Sequence, residues 1–264
     1  MIVTLSSVRG APGVTSWSML LAAAWPADYG MERVVLEAAT SGGVLGARYG
    51  LGVEPGAASL VAAVRRRSES GVIDLSDVGR LVSDGVWVVP ETESAERAHA
   101  LWSAGTNATD VASAIEGDDR AWLVDAGRPE PGSPLRPFVS RSSLSLVVCG
   151  PTQEELVQVP TRVHAHQQLA TSVGVLIVGH AAYDQQELRE FFGTGLVWVV
   201  DASKDLVQLV GALSARRRAR STIVWRQAVE LAAEIAERTT TDAPTRPRDT
   251  DAVSGVVSSD RGRR

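Results

Sequence analysis

A chain of 264 residues, 44% hydrophobic and 22% charged, is long enough for one large α/β domain and apolar enough to bury a sizeable core. Its formal net charge of -5 excludes a protein that coats nucleic acid through bulk positive charge, though a local basic patch is compatible with it. The start, Met1-Ile2-Val3-Thr4-Leu5, lacks the positive region of a secretory leader, and no stretch approaches the ~18 apolar residues that span a bilayer, so the cytoplasm is the expected location.

The chain opens on an apolar strand at 2–7 and continues through Ser7-Val8-Arg9-Gly10-Ala11-Pro12-Gly13-Val14-Thr15-Ser16 into a helix over 15–25. Glycines at a strand-to-helix turn let backbone N–H groups point inward, and the helix start favours an anion. A phosphate-binding loop belongs at such a place. Its usual spacing, G-x-x-x-x-G-K-[ST], is nevertheless broken, because Val8 stands at the first glycine and Val14 at the lysine. Glycine-rich turns also occur for packing alone, so the loop by itself leaves both readings open.

A second strand at 33–37 ends in Glu37 and runs into Ala38-Ala39-Thr40-Ser41-Gly42-Gly43. A helix follows at 57–67, a strand at 86–90, a helix at 93–103, and a strand at 121–125 that ends in Asp125 before Ala126-Gly127. The second half reads strand 144–149, helix 153–169, strand 173–178, helix 184–191, strand 196–200 and helices 203–214 and 221–238. Most of these strands are continuous apolar runs, the mark of strands covered on both faces. Regular alternation with helices predicts a doubly wound, mostly parallel sheet of about seven strands.

In the last helix Val224, Trp225, Ala228, Leu231, Ala232 and Ile235 recur at helical spacing, with Glu230, Glu234 and Glu237 on the polar side. A membrane-surface helix carries Lys and Arg there, so this one is expected to pack on the sheet. From 239 to 264 the composition turns to Thr, Ser, Asp, Arg and Pro, which predicts a disordered tail behind a domain over 1–238. The single cysteine, Cys149, lies in an apolar run and reads as a small buried hydrophobe. His164 and His166 are two apart and so point to different helix faces; with His99 and His180 they make no metal pattern. Lys204 is the sole lysine among 26 basic residues, which fits a GC-rich coding bias.

Several segments, taken in order, resemble the MinD/ParA family of P-loop ATPases. The family's deviant loop reads K-G-G-x-G-K-[ST]. On that register Arg9 stands at the signature lysine, Gly10 and Gly13 match glycines and Ala11 replaces one. Val14 replaces the phosphate-binding lysine, and Thr15, followed by Ser16, holds the hydroxyl position for magnesium. Val34-Val35-Leu36-Glu37-Ala38-Ala39 resembles the second strand and first switch, normally D-x-D, and Leu123-Val124-Asp125-Ala126-Gly127 the strand that reaches the second switch. Strand 144–149 with Pro151-Thr152, and Val175-Leu176-Ile177-Val178, follow in family order. A loop G-A-P-G-V-T is similar to that of a MinD-like group found in actinobacteria.

The resemblance implies ATP and magnesium as cofactors. Arg9, Gly10, Gly13, Val14, Thr15 and Ser16 would lie at the nucleotide, Thr15 and Asp125 at magnesium, and Glu37 and Asp125 in the catalytic positions. It also implies a homodimer, in which Arg9 reaches the partner's nucleotide, and protein partners of a larger machinery. The departures count against hydrolysis: Val14 removes a positive charge, Glu37 shifts a carboxylate by a methylene, and Ala39 deletes one. The expected role is therefore a spatial organiser or scaffold beside pilus, secretion, division or chromosome-partitioning machinery, with ATP turnover near background. An active dimeric ATP switch and a nucleotide-free interaction module are the alternatives. On the base side Asp201 could face the ribose, although an exposed loop carboxylate explains it too. Arg65-Arg66-Arg67 and Arg216-Arg217-Arg218 with Arg220 offer a patch for DNA phosphates or an acidic partner, although cations at helix ends are favoured by the dipole alone; nonspecific DNA and the membrane surface are the further partners the resemblance implies. Val14→Lys is expected to improve ATP–magnesium binding if the loop keeps an open, phosphate-cradling shape, and to cost stability if Val14 packs inward.

Overall fold

Apolar, β-branched runs form the strands Ile2–Ser7 (β1), Arg33–Glu37 (β2), Arg80–Ser83 (β3), Val86–Val89 (β4), Ala121–Asp125 (β5), Leu144–Cys149 (β6), Val173–Val178 (β7) and Val197–Val200 (β8). The computed structural model describes residues 1–9, 13–52, 54–66, 71–83, 85–130, 132–203, 210 and 222–241. The helices are Val14–Ala24 (α1), Leu45–Tyr49 (α2), Ala57–Arg66 (α3), Leu75–Val78 (α4), Ala95–Ser103 (α5), Asn107–Glu116 (α6), Arg136–Ser140 (α7), Gln153–Leu156 (α8), Val159–Gln167 (α9) and Gln185–Phe192 (α10). A final helix spans Ile223–Thr241. The strands form one sheet in the order β3-β4-β2-β5-β1-β6-β7-β8. Only the β3–β4 pair is antiparallel.

Neighbouring side chains on a strand face opposite sides, so each apolar run feeds two cores. Val3, Leu5, Val35 and Leu123 join the residues of α1 and the final helix. Ile2, Val34, Leu36, Trp122 and Val124 pack with α3, α6, Trp102 of α5 and Phe138 of α7. At the far edge Val147, Cys149, Val175 and Ile177 meet α8, α9 and α10. Burying one such aliphatic side chain contributes roughly 1.5–3 kcal/mol, which is why the pattern dictates the layers. The final helix packs as its acidic polar face suggested: Val224, Ala228, Leu231, Ala232 and Ile235 are buried, and Trp198 of β8 donates its indole N–H to Glu234 at 2.7 Å.

The structure adds to the expected elements and corrects one. β3 is an eighth strand, an antiparallel edge whose Leu81 is exposed. The helix expected over 153–169 is two helices, because Pro160 at the start of α9 has no N–H to continue the ladder and its ring crowds the carbonyl four residues back. Helices α2, α4, α6 and α7 were not expected, and the final helix runs to Thr241, past the expected boundary at 238. The helix expected over 203–214 lies, except for 203 and 210, outside the described residues, as does the tail beyond 241. No helix among the described residues is long and apolar enough to cross a membrane.

Candidate functional site

At the carboxyl ends of β1, β2 and β5, near the middle of the sheet, the chain changes direction across the strand order, a position where α/β sheets open a crevice. The ladder itself brings the expected carboxylates together. Glu37 and Asp125 are direct register partners, Leu5 pairs with Asp125, and the Ala38 N–H donates to the Asp125 carbonyl at 2.8 Å.

The loop after β1 delivers the start of α1 to this crevice. Gly13 has φ 87° and ψ 30°, a left-handed conformation that a side chain disfavours, and its carbonyl accepts the Trp17 N–H at 2.8 Å. No side chain caps α1 and no acidic residue occupies its first turn, so the positive end of the helix has no carboxylate of its own. Thr15 is half-buried, Ser16 buried and Arg9 exposed, while residues 10–12, with the expected Gly10, lie outside the described residues. Val14 is only 6% exposed and belongs to the core cluster that holds Trp17 and Leu21. Of the two outcomes expected for Val14→Lys, the buried position supports the loss of stability, because a lysine here would place its charge in an apolar setting.

Asp125 is fully buried. Its Oδ1 accepts the Gly127 N–H at 2.9 Å, while Oδ2 has no hydrogen-bond partner among the described residues. Burial raises its pKa; the Thr15 hydroxyl, the Gly127 N–H and the Arg48 charge, in that order, pull the other way. Thr15 is thus near enough to favour the charged form without a full bond to Oδ2. A buried carboxylate oxygen with no donor, beside a hydroxyl, is the donor chemistry that a hydrated magnesium ion accepts.

Glu37 is held quite differently. Its Oε1 accepts the Val44 N–H at 2.7 Å and the Leu45 N–H at 3.2 Å, and its Oε2 accepts the Glu91 N–H at 3.2 Å. Burial pushes the carboxyl up to about 7, with the Asp125 charge adding to it and the three N–H groups opposing it. The carboxylate thereby ties the end of β2 to the start of α2 and to the second residue after β4. Gly43 makes room for it, since a Cβ there would lie 2.3 Å from Glu37 Oε2. Ala39 is buried, and a Cβ on Gly127 would lie 2.7 Å from the Ala39 Cβ.

Other expected features fall into structural roles. Asp201 is exposed and pairs with Gln227 of the final helix, its N–H to Oε1 at 2.9 Å and its Oδ2 to Nε2 at 3.1 Å. Arg65 donates to Asn107 Oδ1 at 2.6 Å, bracing α3 against α6; residues 67 and 216–220 of the two arginine clusters lie outside the described residues. Cys149 is buried and its thiol is pushed up to about 12, mainly by burial, which fits an inert core residue. His166 is buried against Ser145 at 2.8 Å and pushed down to about 4 by burial and Arg162. No group of three or more His, Cys, Asp and Glu residues suited to a metal occurs among the described residues. Reading by motif missed Arg48 and Glu91 and gave Gly43 no part in holding Glu37; the fold sets Gly43 and Glu91 against that carboxylate.

No protein-family model matches the chain, and no curated protein sequence matches it. Solved structures do. A ParA family ATPase from Chlorobium tepidum superposes with a TM-score of 0.70 at 14% identity, over 88% of this chain and 97% of that one. The septum site-determining protein MinD of Pyrococcus horikoshii, complexed with Mg-ADP, gives 0.66 at 13% identity over 89% and 96%. The MinC:MinD cell division complex of Aquifex aeolicus gives 0.66 at 13% identity over 89% and 95%. Superposed on these structures over 88–89% of its length, the chain has the fold of the ParA/MinD P-loop ATPases.

Proposed function

We propose that this protein is a ParA/MinD-type positioning or scaffolding factor that binds a magnesium nucleotide and hydrolyses it little or not at all. The observation that carries the reading is the Glu37 carboxylate, whose two oxygens accept backbone N–H groups of Val44, Leu45 and Glu91. A group so engaged is a poor orienter of an attacking water. Val14, packed in the core, contributes no charge at the β- and γ-phosphates, where developing negative charge needs it.

Binding is supported by the donors that are present. The start of α1, with Thr15 and Ser16, has no side-chain cap and no acidic residue in its first turn, which favours an anion there. Asp125 and Thr15 would hold magnesium, which neutralises phosphate charge when bound. The MinD relative complexed with Mg-ADP and the MinC:MinD complex motivate a nucleotide, a protein partner and a homodimer for this chain. Division, partitioning, pilus or secretion machinery is the proposed setting, on the cytoplasmic side.

Titration of the full chain with Mg–ADP and Mg–ATP, followed by calorimetry and by the melting temperature, tests this reading. Binding with a raised melting temperature, lost when magnesium is chelated, is expected. No binding heat and no shift at millimolar nucleotide would overturn it and leave a nucleotide-free interaction module. Light scattering of the loaded protein is expected to report a dimer.

A further inference from the structure

The described site contains one cation that its sequence motifs do not assign. Arg48 lies in the last turn of α2, and its own N–H donates to the Val44 carbonyl at 2.9 Å. Val44 and Leu45 are the residues held by Glu37, so Arg48 stands one helical turn from a fixed point. The other end of the helix is fixed as well: Leu45 is buried and the Tyr49 hydroxyl donates to the Val210 carbonyl at 2.7 Å. Arg48 is thus a placed side chain on a short helix pinned from two sides.

Its Nη1 is buried and has no hydrogen-bond partner among the described residues, and neither has Asp125 Oδ2. Both belong to one cluster: Glu37, which holds the start of α2, is the direct register partner of Asp125, and among the described residues no ion pair joins Arg48 to Asp125. Two buried, unanswered groups of opposite sign in one cluster call for a ligand with two faces. It must offer a cation to the carboxylate and an anion to the guanidinium, and a magnesium-bound phosphate does both. We infer that Arg48, carried by α2, supplies the positive charge of the phosphate site in place of the lysine that Val14 replaces. Its planar fork suits two oxygens of one phosphate, which a lysine would meet as a point charge. Because α2 is tied to Glu37, the same carboxylate that has left the water-orienting position sets where this cation stands.

The inference rests on the nucleotide reading above, and the experiment separates the two. The full chain, wild type and Arg48→Gln, is titrated with Mg–ADP and with magnesium pyrophosphate at several salt concentrations, and melting is recorded without ligand. Arg48→Gln is expected to weaken both ligands by about ten- to a hundredfold, as for loss of a charge-assisted bond, and to make the salt dependence shallower. Its melting temperature without ligand should not fall, because Nη1 has no partner to lose. Arg48→Lys, which keeps the charge and loses the fork, should bind between the two. Wild type that binds Mg–ADP, with Arg48→Gln binding it equally well, overturns this inference alone. Wild type that binds neither ligand overturns the nucleotide reading and the inference with it. Should Arg48→Gln fail to fold, Arg48→Lys decides: affinity indistinguishable from wild type at every salt concentration overturns the assignment of a phosphate-gripping fork.

Discussion

Replacing Glu37 with glutamine should remove a specific pH dependence from the stability of this protein. In the folded chain the Glu37 carboxyl is lifted from 4.5 to about 7, chiefly by burial. A raised carboxyl binds its proton more tightly folded than unfolded, so it contributes stability below about pH 4.5 that is lost as pH rises through about 7. At about 1.4 kcal/mol per pH unit, the full span amounts to roughly 3 kcal/mol. Glutamine cannot titrate, and its amide offers only one oxygen to the three N–H groups of Val44, Leu45 and Glu91. The variant should therefore be less stable at every pH, by about 1–3 kcal/mol for a backbone donor left unanswered at pH 7. The assay is urea unfolding of both proteins from pH 4.5 to 8, plotted as the difference in stability. That difference should be largest near pH 4.5 and shrink by roughly 3 kcal/mol towards pH 8. Adding Asp125→Asn to wild type should bring the transition to lower pH, since the Asp125 charge raises Glu37. Parallel stability curves for wild type and Glu37→Gln would refute the claim that this carboxylate is buried and tethered.

Val14→Lys should lower stability by a few kcal/mol and bring no gain in Mg–ATP affinity, because Val14 lies in the core; melting and calorimetry on one sample read both. Gly43→Ala should destabilise by about 1–3 kcal/mol, since its Cβ would meet Glu37 Oε2 and the Glu91 carbonyl at 2.3 and 2.7 Å; melting unchanged from wild type would contradict the tether. Asp201→Ala should leave nucleotide affinity within about twofold, because its carboxylate pairs with Gln227; a tenfold loss would return it to the base side of the site.

The fold was legible where burial was two-sided. Short apolar, β-branched runs such as Val34-Val35-Leu36 and Leu146-Val147-Val148-Cys149, alternating with helical segments, fit strands with helices over both faces. β3 escaped because an exposed edge of four residues, Arg80-Leu81-Val82-Ser83, needs no such run. α6 was readable and overlooked: Ala108, Val111, Ala112 and Ile115 fall on one helical face, and all are buried. Pro160 carried the signal for the break between α8 and α9. At the site, the order of Gly13, Thr15, Glu37 and Asp125 sufficed to place them at one crevice, since parallel strands carry their loops to the same edge. What each side chain does there was not legible. Glu37 keeps the carboxyl expected at its position but meets three backbone N–H groups, and that follows from how the Gly42–Gly43 turn closes over it. Arg48 has no motif, because its place is set by α2, which Glu37 at the end of β2 and Tyr49 hold in the fold.

The central claim is that the nucleotide is held without being consumed. Phosphate release by the full chain at saturating Mg–ATP, measured beside Asp125→Ala, tests it most directly. The account predicts a rate at the background of the assay for both proteins, while wild type alone retains bound nucleotide. Steady turnover by wild type that Asp125→Ala abolishes would contradict it, and would mean that Glu37 leaves its tether to act on water.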